Sequence, residues 1–386
     1  MSHDSLRGKS VLVTGATGCV GGRLVERLVQ VEGAHVRALV RNAAHAVRIA
    51  RLPVDLAQGH LLDSDAVDRA VEGCDVVMHC AFGSDGDATT QRQVTVEGTE
   101  NLLKAAQAHR VQRFVHVSTI AVHGTAPGEN VRETAPYQYV PSSVYTNSKI
   151  DAEKLALAYR ERGLPVVVMR PSDVFGPYSA PWTIGPVRDL KNGTLKFVEG
   201  AAGTCCPIYV DDLVEGLVQG AVNPQAVGEI FLLVNDPVPW LEFFEYYRRM
   251  LGCAAIPILE RSQWQAQWNR QAFATNSLGR TLAYAGSPRA RQVLGQAFLL
   301  GRGVTLLSKI VPARIKHPLL HRADALYHAK RWPEILPSPA QVEFFAARRS
   351  YDGTKAAEVL GFHPRHSLAR GMEKTSDWLA YAGYLS

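Results

Sequence analysis

The sequence predicts an α/β protein built on a doubly wound, largely parallel sheet, with a smaller lobe beside it. Three observations lead there. Short apolar runs alternate with amphipathic helical stretches over the first half of the chain, the pattern of strands covered by crossover helices on both faces. The first such run, Lys9 to Thr14 in KSVLVTG, turns on Gly15 and passes Gly18 and Gly21 into a helical stretch. The length, 386 residues, allows one large core and a companion.

Each element follows in order. A buried strand that turns on glycine into a helix exposes backbone N–H groups at the helix start, where they and the helix dipole neutralise a pyrophosphate. The spacing here is G-x-x-G-x-x-G rather than G-x-G-x-x-G. The order strand, turn, helix favours phosphate binding over a plain tight turn. The second strand, AHVRALVRN, ends at Arg41 and Asn42. An NAD site places an acidic residue there for the ribose hydroxyls. Arg41, helped by Arg37, is instead suited to a 2′-phosphate, so NADP(H) is favoured, with NAD(H) as the alternative. LPVDLAQGHLLDSDAV leads to a third strand, and GCDVVMHCA to a buried strand ending at Cys80 and Ala81. A polar loop, FGSDGDATTQRQ, precedes the helix VTVEGTENLLKAAQAHR, and VQRFVHVSTIAVHG carries a strand ending at Ser118 and Thr119. In such a sheet ligands collect at the carboxyl ends of the strands, where these residues fall.

A proline-bearing loop, HGTAPGENVRETAPYQYVPSS, suits a wall of a site better than a compact turn. It leads to SVYTNSK, which opens an amphipathic helix running to Gly163. Tyr145 and Lys149, four residues apart, share a face of that helix. An ammonium beside a phenol draws its pKa from about 10 towards neutrality and makes it a usable acid or base. LPVVVMRPSDVFGP then supplies a buried strand broken by Pro171, Gly176 and Pro177, after which the even rhythm is lost.

Composition narrows the field. Hydrophobic residues are 46% and charged residues 20%, an ordinary globular balance. The 42 basic and 36 acidic side chains leave a formal charge of +6, too small an excess to call for nucleic acid. The six cysteines form no C-x-x-C pair and no histidines stand at metal-ligand spacing, so no metal and a reduced cytoplasmic setting are expected. The N-terminus enters a strand pattern without room for a signal peptide, and no apolar run reaches the roughly 18 residues of a membrane span.

The motifs TGATGCVG, DVVMHCA, VEGTENLLKAA, FVHVSTIAVHG, YTNSK, RPSDVFGP and IYVDDLVEG occur in one order over the first 235 residues. In that set the chain resembles an extended short-chain dehydrogenase/reductase of the NAD(P)-dependent epimerase/dehydratase superfamily. The resemblance implies a Rossmann-type sheet with a substrate-binding lobe. It implies that Tyr145 is the acid/base, and that Lys149 holds the nicotinamide ribose and lowers the tyrosine pKa. Thr119 corresponds to the catalytic Ser/Thr, with Ser118 as the neighbouring alternative, since alternation lets only one of the two face the site. Gly15, Thr17, Gly18, Cys19, Val20 and Gly21 would hold the cofactor pyrophosphate, His60 and Leu61 would lie by adenine, and Cys80, Ala81, Pro171 and Val174 would pack on the cofactor. Three departures stand out: His60 where an aspartate is common, Thr95 for an asparagine, and His123 for the tyrosine before Gly124. The resemblance further implies a homodimer formed through helices that include the one carrying Tyr145.

The expected partition is a cofactor-binding core over residues 1–170 with returns at 205–235, and a substrate-binding lobe over 171–204 and 236–386. The lobe holds a long basic and apolar insertion, 253–339. Within it, 293–332 is suited either to covering the lobe or to peripheral contact with the inner face of a membrane. The tail PAQVEFFAARRSYDGTKAAEVLGF is similar to the branch of 3β-hydroxysteroid dehydrogenases, 4α-carboxysterol 3-dehydrogenases and reductases of long β-keto acids. The expected function is therefore NADP(H)-dependent interconversion of a ketone and a secondary alcohol on a hydrophobic substrate, sterol-like or long-chain. Nucleotide-sugar epimerisation or dehydration is the second reading, and a non-catalytic cofactor-binding scaffold the third.

Overall fold

A computed structural model describes residues 5–141, 143–275 and 336–385. The stretch 293–332 lies outside the described residues. The chain forms two compact units, one of residues 1–193, 201–255 and 343–386, the other of 194–200 and 256–342.

The larger unit is organised by seven strands: β1 (Ser10–Thr14), β2 (His35–Val40), β3 (Val54–Gln58), β4 (Val76–His79), β5 (Arg113–Val117), β6 (Val166–Pro171) and, further on, Ile230–Leu233. A short strand, β7 (Asp173–Phe175), pairs outside that sheet with β8 (Pro207–Tyr209), so Ile230–Leu233 is β9. The order across the sheet is β9-β6-β5-β4-β1-β2-β3, and every pairing is parallel. The order reverses direction between β1 and β4, and such a switch point opens a crevice for a ligand.

Alternation within each strand divides the core in two. Val11 and Val13 of β1 join Val115, Met169, Leu24 and Leu217 on one face, while Leu12 joins Val77, Phe114, Val168 and Leu102 on the other. The first face is covered by α1 (Cys19–Arg27). The second is covered by α2 (Ser64–Val71), α3 (Ala88–Ala108) and α4 (Val144–Glu161). Helix α5 (Val210–Val222) adds Leu213 and Leu217 to the first face.

Two local signals set the helices that matter for the site. Ser143 caps α4, its hydroxyl accepting from the Thr146 amide at 3.1 Å, so the helix begins one residue before Tyr145. Helix α3 begins at Ala88, six residues before the expected Val94. The Asp87 carboxylate caps it by accepting from the Thr90 amide at 2.8 Å, a strong stop-and-start signal inside a stretch read as loop.

In the smaller unit, Phe197–Val198 pairs in parallel with Ile258–Leu259. Trp264, Leu336, Val342 and Val198 are buried together, and the Trp264 indole donates to the Pro337 carbonyl at 2.9 Å. No helix among the described residues is long and apolar enough to cross a membrane.

Candidate active site

The residues assigned to the site from the sequence, Arg37 apart, line one cavity of about 970 Å³ at the carboxyl ends of the strands, within the size range of small-molecule and cofactor sites. At its β1 end the backbone is built for close approach. Gly15 has φ +69°, and a Cβ there would lie 2.8 Å from the Ala81 amide nitrogen; a Cβ on Gly21 would lie 2.3 Å from the Gly15 carbonyl oxygen. Only glycine fits both places. Gly18 stands in extended backbone as the cap of α1 and brings no side chain, which leaves the first amides of that helix to a ligand. Thr17, Cys19 and Val20 complete this rim. Burial pushes the Cys19 and Cys80 thiols up to about 12, so both stay protonated. The Thr14 hydroxyl ties the neighbouring strand in, accepting from the Ala81 amide at 3.3 Å and lying 2.7 Å from His79 Nδ1. The other ring nitrogen of His79 is 2.8 Å from the Thr99 hydroxyl, and burial, with Lys149 nearby, holds its pKa down to about 3.

Arg41 lines the cavity past the end of β2 and is 2.8 Å from the Asp85 carboxylate, both side chains more than half exposed. Arg37 is not with it. Its guanidinium bonds to Asp55 at 2.7 Å and to the Ala70 and Glu72 carbonyls at 3.0 and 2.7 Å, which corrects the expectation that it helps Arg41. Arg37 sits opposite Asp55 in the β2–β3 ladder, short of the strand end, and β3 supplies its counter-charge. His60 and Leu61 line the cavity; the His60 ring accepts the Leu62 amide at 3.1 Å, and Asn101 holds the Leu61 carbonyl at 3.0 Å. Thr95, a departure noted in the sequence, accepts the Gly83 amide at 2.9 Å and so fixes the loop after β4.

Thr119, Tyr145 and Lys149 meet at the middle of the cavity, with Pro171 and Val174 further along its wall. Lys149 is 3% exposed and donates to the Val117 carbonyl at 2.8 Å; burial brings its pKa down to about 8. Tyr145 is 42% exposed and lines the cavity. Its pKa is raised above the ordinary 10, loss of hydration being the larger cause and the Thr119 hydroxyl opposing it. This is the reverse of the shift expected from Lys149. The lysine is engaged by Val117, and the ring of Phe82 packs against both residues, edge-on to Tyr145 at 5.4 Å and 5.5 Å from the ammonium.

Alternation at the end of β5 separates the two hydroxyls. Thr119 stands beside Tyr145, whereas the Ser118 hydroxyl donates to the Glu153 carboxylate. Glu153, fully buried one turn after Lys149, also accepts from the Tyr137 phenol at 2.8 Å and from Arg170 Nε at 3.1 Å. Arg170 in turn donates to the Glu133 carbonyl at 2.8 Å and meets His123 Nε2 at 3.1 Å. Burial and the Arg170 charge push His123 down to about 4, so its ring accepts. This network lies behind the site and was not read from the sequence. Phe82, Trp182, Phe344, Arg349 and Tyr351 also line the cavity. None of them was singled out as a site residue from the sequence: Phe82 follows β4, Trp182 lies in the helical turn Ala180–Ile184, and Phe344, Arg349 and Tyr351 stand about two hundred residues beyond Tyr145.

Comparison with known proteins agrees with this architecture. Residues 11–233 match the model of the NAD dependent epimerase/dehydratase family, and the chain belongs to that family. It is 31% identical over 300 residues to the 4-hydroxy-2-methyl-3-oxo-4-farnesyl-3,4-dihydroquinoline-1-oxide ketoreductase of Stigmatella aurantiaca, covering 76% of this chain and 87% of that one. It is 35% identical over 384 residues to a dTDP-glucose 4,6-dehydratase of Streptomyces antibioticus, covering 96% and 92%. Among solved structures, a dTDP-glucose 4,6-dehydratase of Streptomyces venezuelae superposes with a TM-score of 0.67 at 22% identity over 96% of this chain and 97% of that one, a likeness of fold. The protein is thus an enzyme of the extended short-chain dehydrogenase/reductase type.

Proposed function

We propose that this enzyme interconverts a ketone and a secondary alcohol on a hydrophobic substrate with NADP(H). The observation that carries the reading is the convergence of Thr119, Tyr145 and Lys149 on a cavity that joins a glycine cradle to an aromatic wall of Trp182 and Phe344. The bound nicotinamide supplies or takes the hydride. Tyr145 donates a proton to the carbonyl oxygen in reduction, and the Thr119 hydroxyl orients that oxygen. A phenol held above pKa 10 keeps its proton at neutral pH, which suits the reductive direction. Lys149 balances the charge that forms when the phenol gives the proton up. Arg41 supports the choice of NADP(H), because its exposed ion pair with Asp85 is worth little and yields readily to a 2′-phosphate.

The kinship with dTDP-glucose 4,6-dehydratase favours a second reading, dehydration of a nucleotide sugar. Such chemistry requires an acid/base pair besides the tyrosine. Asp173 is the one carboxylate among the described residues lining the cavity, and Glu133 is engaged elsewhere, accepting the Leu232 amide at 3.1 Å. The ketone–alcohol reading is therefore the better supported.

The test follows NADPH absorbance with a panel of hydrophobic ketones. Turnover should occur and should fall at least about a hundredfold in Tyr145→Phe with NADPH affinity unchanged. Conversion of a nucleotide sugar without net change in absorbance would instead establish the second reading.

A further inference from the structure

One wall of the cavity carries a carboxylate with an oxygen to spare. Asp173 is 6% exposed, lines the cavity, and its Oδ2 accepts from the Cys206 amide at 3.0 Å. Its other oxygen, Oδ1, accepts no hydrogen bond among the described residues and, unlike the hydroxyl of Ser172 next to it, keeps open surface. In a side chain otherwise buried, that surface is the cavity side. A carboxylate oxygen withdrawn from bulk water and given no donor by the protein points to a donor on a ligand.

The backbone fixes where that oxygen stands. Asp173 opens β7, where its amide donates to the Cys206 carbonyl at 3.3 Å while Oδ2 takes the Cys206 amide, so strand and side chain are tied to one residue. Val117 of β5 stands opposite Met169 of β6. Carried forward, that register sets Thr119 across from Pro171, with Asp173 two residues further on. At about 4.8 Å between strands and about 3.3 Å per residue, the Cα atoms of Asp173 and Thr119 are roughly 8 Å apart. Thr119 orients the reacting oxygen, so a group held by Asp173 lies a few bonds from the carbonyl.

Charge selects the kind of group. Burial raises the Asp173 pKa, while the Arg349 charge and the Cys206 amide both favour the carboxylate form. Arg349 is itself 4% exposed, and its charge and that of Asp173 offset each other. A ligand anion would meet the carboxylate, and a ligand cation would take the carboxylate away from Arg349. A neutral O–H suits both: it donates to Oδ1 in a short, charge-assisted bond and brings no charge of its own.

We propose that Asp173 reads a second oxygen on the substrate, a hydroxyl group a few bonds from the reacting carbonyl, so that the enzyme prefers hydroxy ketones, and the diols they form, to simple ketones. The inference rests on the ketone–alcohol reading of the same cavity.

Its test is a binding measurement that needs no turnover. The NADP⁺-saturated Tyr145→Phe protein is titrated by calorimetry with 1-, 3- and 4-hydroxy-2-decanone, with their methyl ethers, and with 2-decanone. At least one hydroxy ketone should bind about tenfold or more tighter than both its own ether and 2-decanone. Adding Asp173→Asn leaves the carboxamide oxygen to the Cys206 amide and turns its NH2 group to the cavity, so the hydroxyl should lose its advantage over the ether. No hydroxyl advantage at any of the three positions, binding of none of the compounds, or an advantage that survives Asp173→Asn would each overturn the subsite. An amide group of the bound cofactor seated on Oδ1 would give the first of these results. The first comparison stands without the second variant. NADPH oxidation by the wild-type enzyme is followed with the same ketones. Turnover together with no hydroxyl advantage in binding removes the subsite alone, and a hydroxyl advantage in binding without NADPH oxidation by any ketone removes the redox reading alone.

Discussion

Replacing Lys149 by Met should stabilise the protein at neutral pH while removing its activity. Burial takes the Lys149 ammonium from the ordinary 10.5 to about 8. At about 1.4 kcal/mol per tenfold, that depression corresponds to roughly 3 kcal/mol lost when the chain folds with the charge in place. The methionine also leaves the Val117 carbonyl, 2.8 Å from Nζ, without its donor. That change takes back about 1–2 kcal/mol, for a net gain of about 1–2 kcal/mol at pH 7. The sign with pH follows from the direction of the shift. Between about 8 and 10.5 the unfolded chain binds more protons at this residue than the folded one, so wild-type stability rises across that window. The advantage of the variant is whole below about pH 8 and has turned into a small deficit by about pH 10.5. Urea denaturation of both proteins at pH 7, 9 and 10.5 reads the difference, in which the other titrating groups cancel. A variant less stable at pH 7, by an amount constant up to pH 10.5, would refute the reasoning. Loss of ketone reduction in the same variant separates the role of the lysine in the site from its cost to the fold.

Two other changes probe the surroundings. Glu153→Gln leaves the Arg170 guanidinium, itself 1% exposed, without its counter-charge. It should cost about 3–5 kcal/mol, with a fall in Tm of roughly 5 °C by calorimetry. The double variant Glu153→Leu, Arg170→Met should recover most of that loss, and equal destabilisation of the two variants would exclude the ion pair as the source. Arg41→Ala should raise KM for NADPH about tenfold and leave KM for NADH unchanged, because its exposed pair with Asp85 adds little to stability. Parallel changes with both cofactors would show that Arg41 does not read the 2′-phosphate.

Much of the site was legible in the sequence because its parts are local. The turn at Gly15 to Gly21, the capped helix at Ser143 and the four-residue step from Tyr145 to Lys149 are each set within a few residues, by backbone conformation and helical period. Parallel strands ending in a row then bring their carboxyl ends to one crevice whatever loops follow. What resisted reading was contact between distant segments. Arg37 and Arg41 lie on one strand, yet the register with β3 gives Arg37 to Asp55 and leaves only Arg41 at the cavity. Helix α3 began early because one aspartate side chain outweighed the polar look of its neighbours.

By itself the sequence determined the fold class, the glycine cradle and the three polar residues at the centre, since these follow from short-range period and from backbone geometry. Only the tertiary structure decided how those residues are charged and which face the cavity. It turned Ser118 to Glu153 and left Thr119 to Tyr145. It engaged Lys149 with Val117 and raised the phenol instead of lowering it. It also brought Arg349 and Tyr351 against Ser172 and Asp173 from the far end of the chain. The reason is that a pKa and a cavity wall depend on what lies within a few ångströms, and in a folded chain that neighbourhood is supplied by residues far apart in sequence.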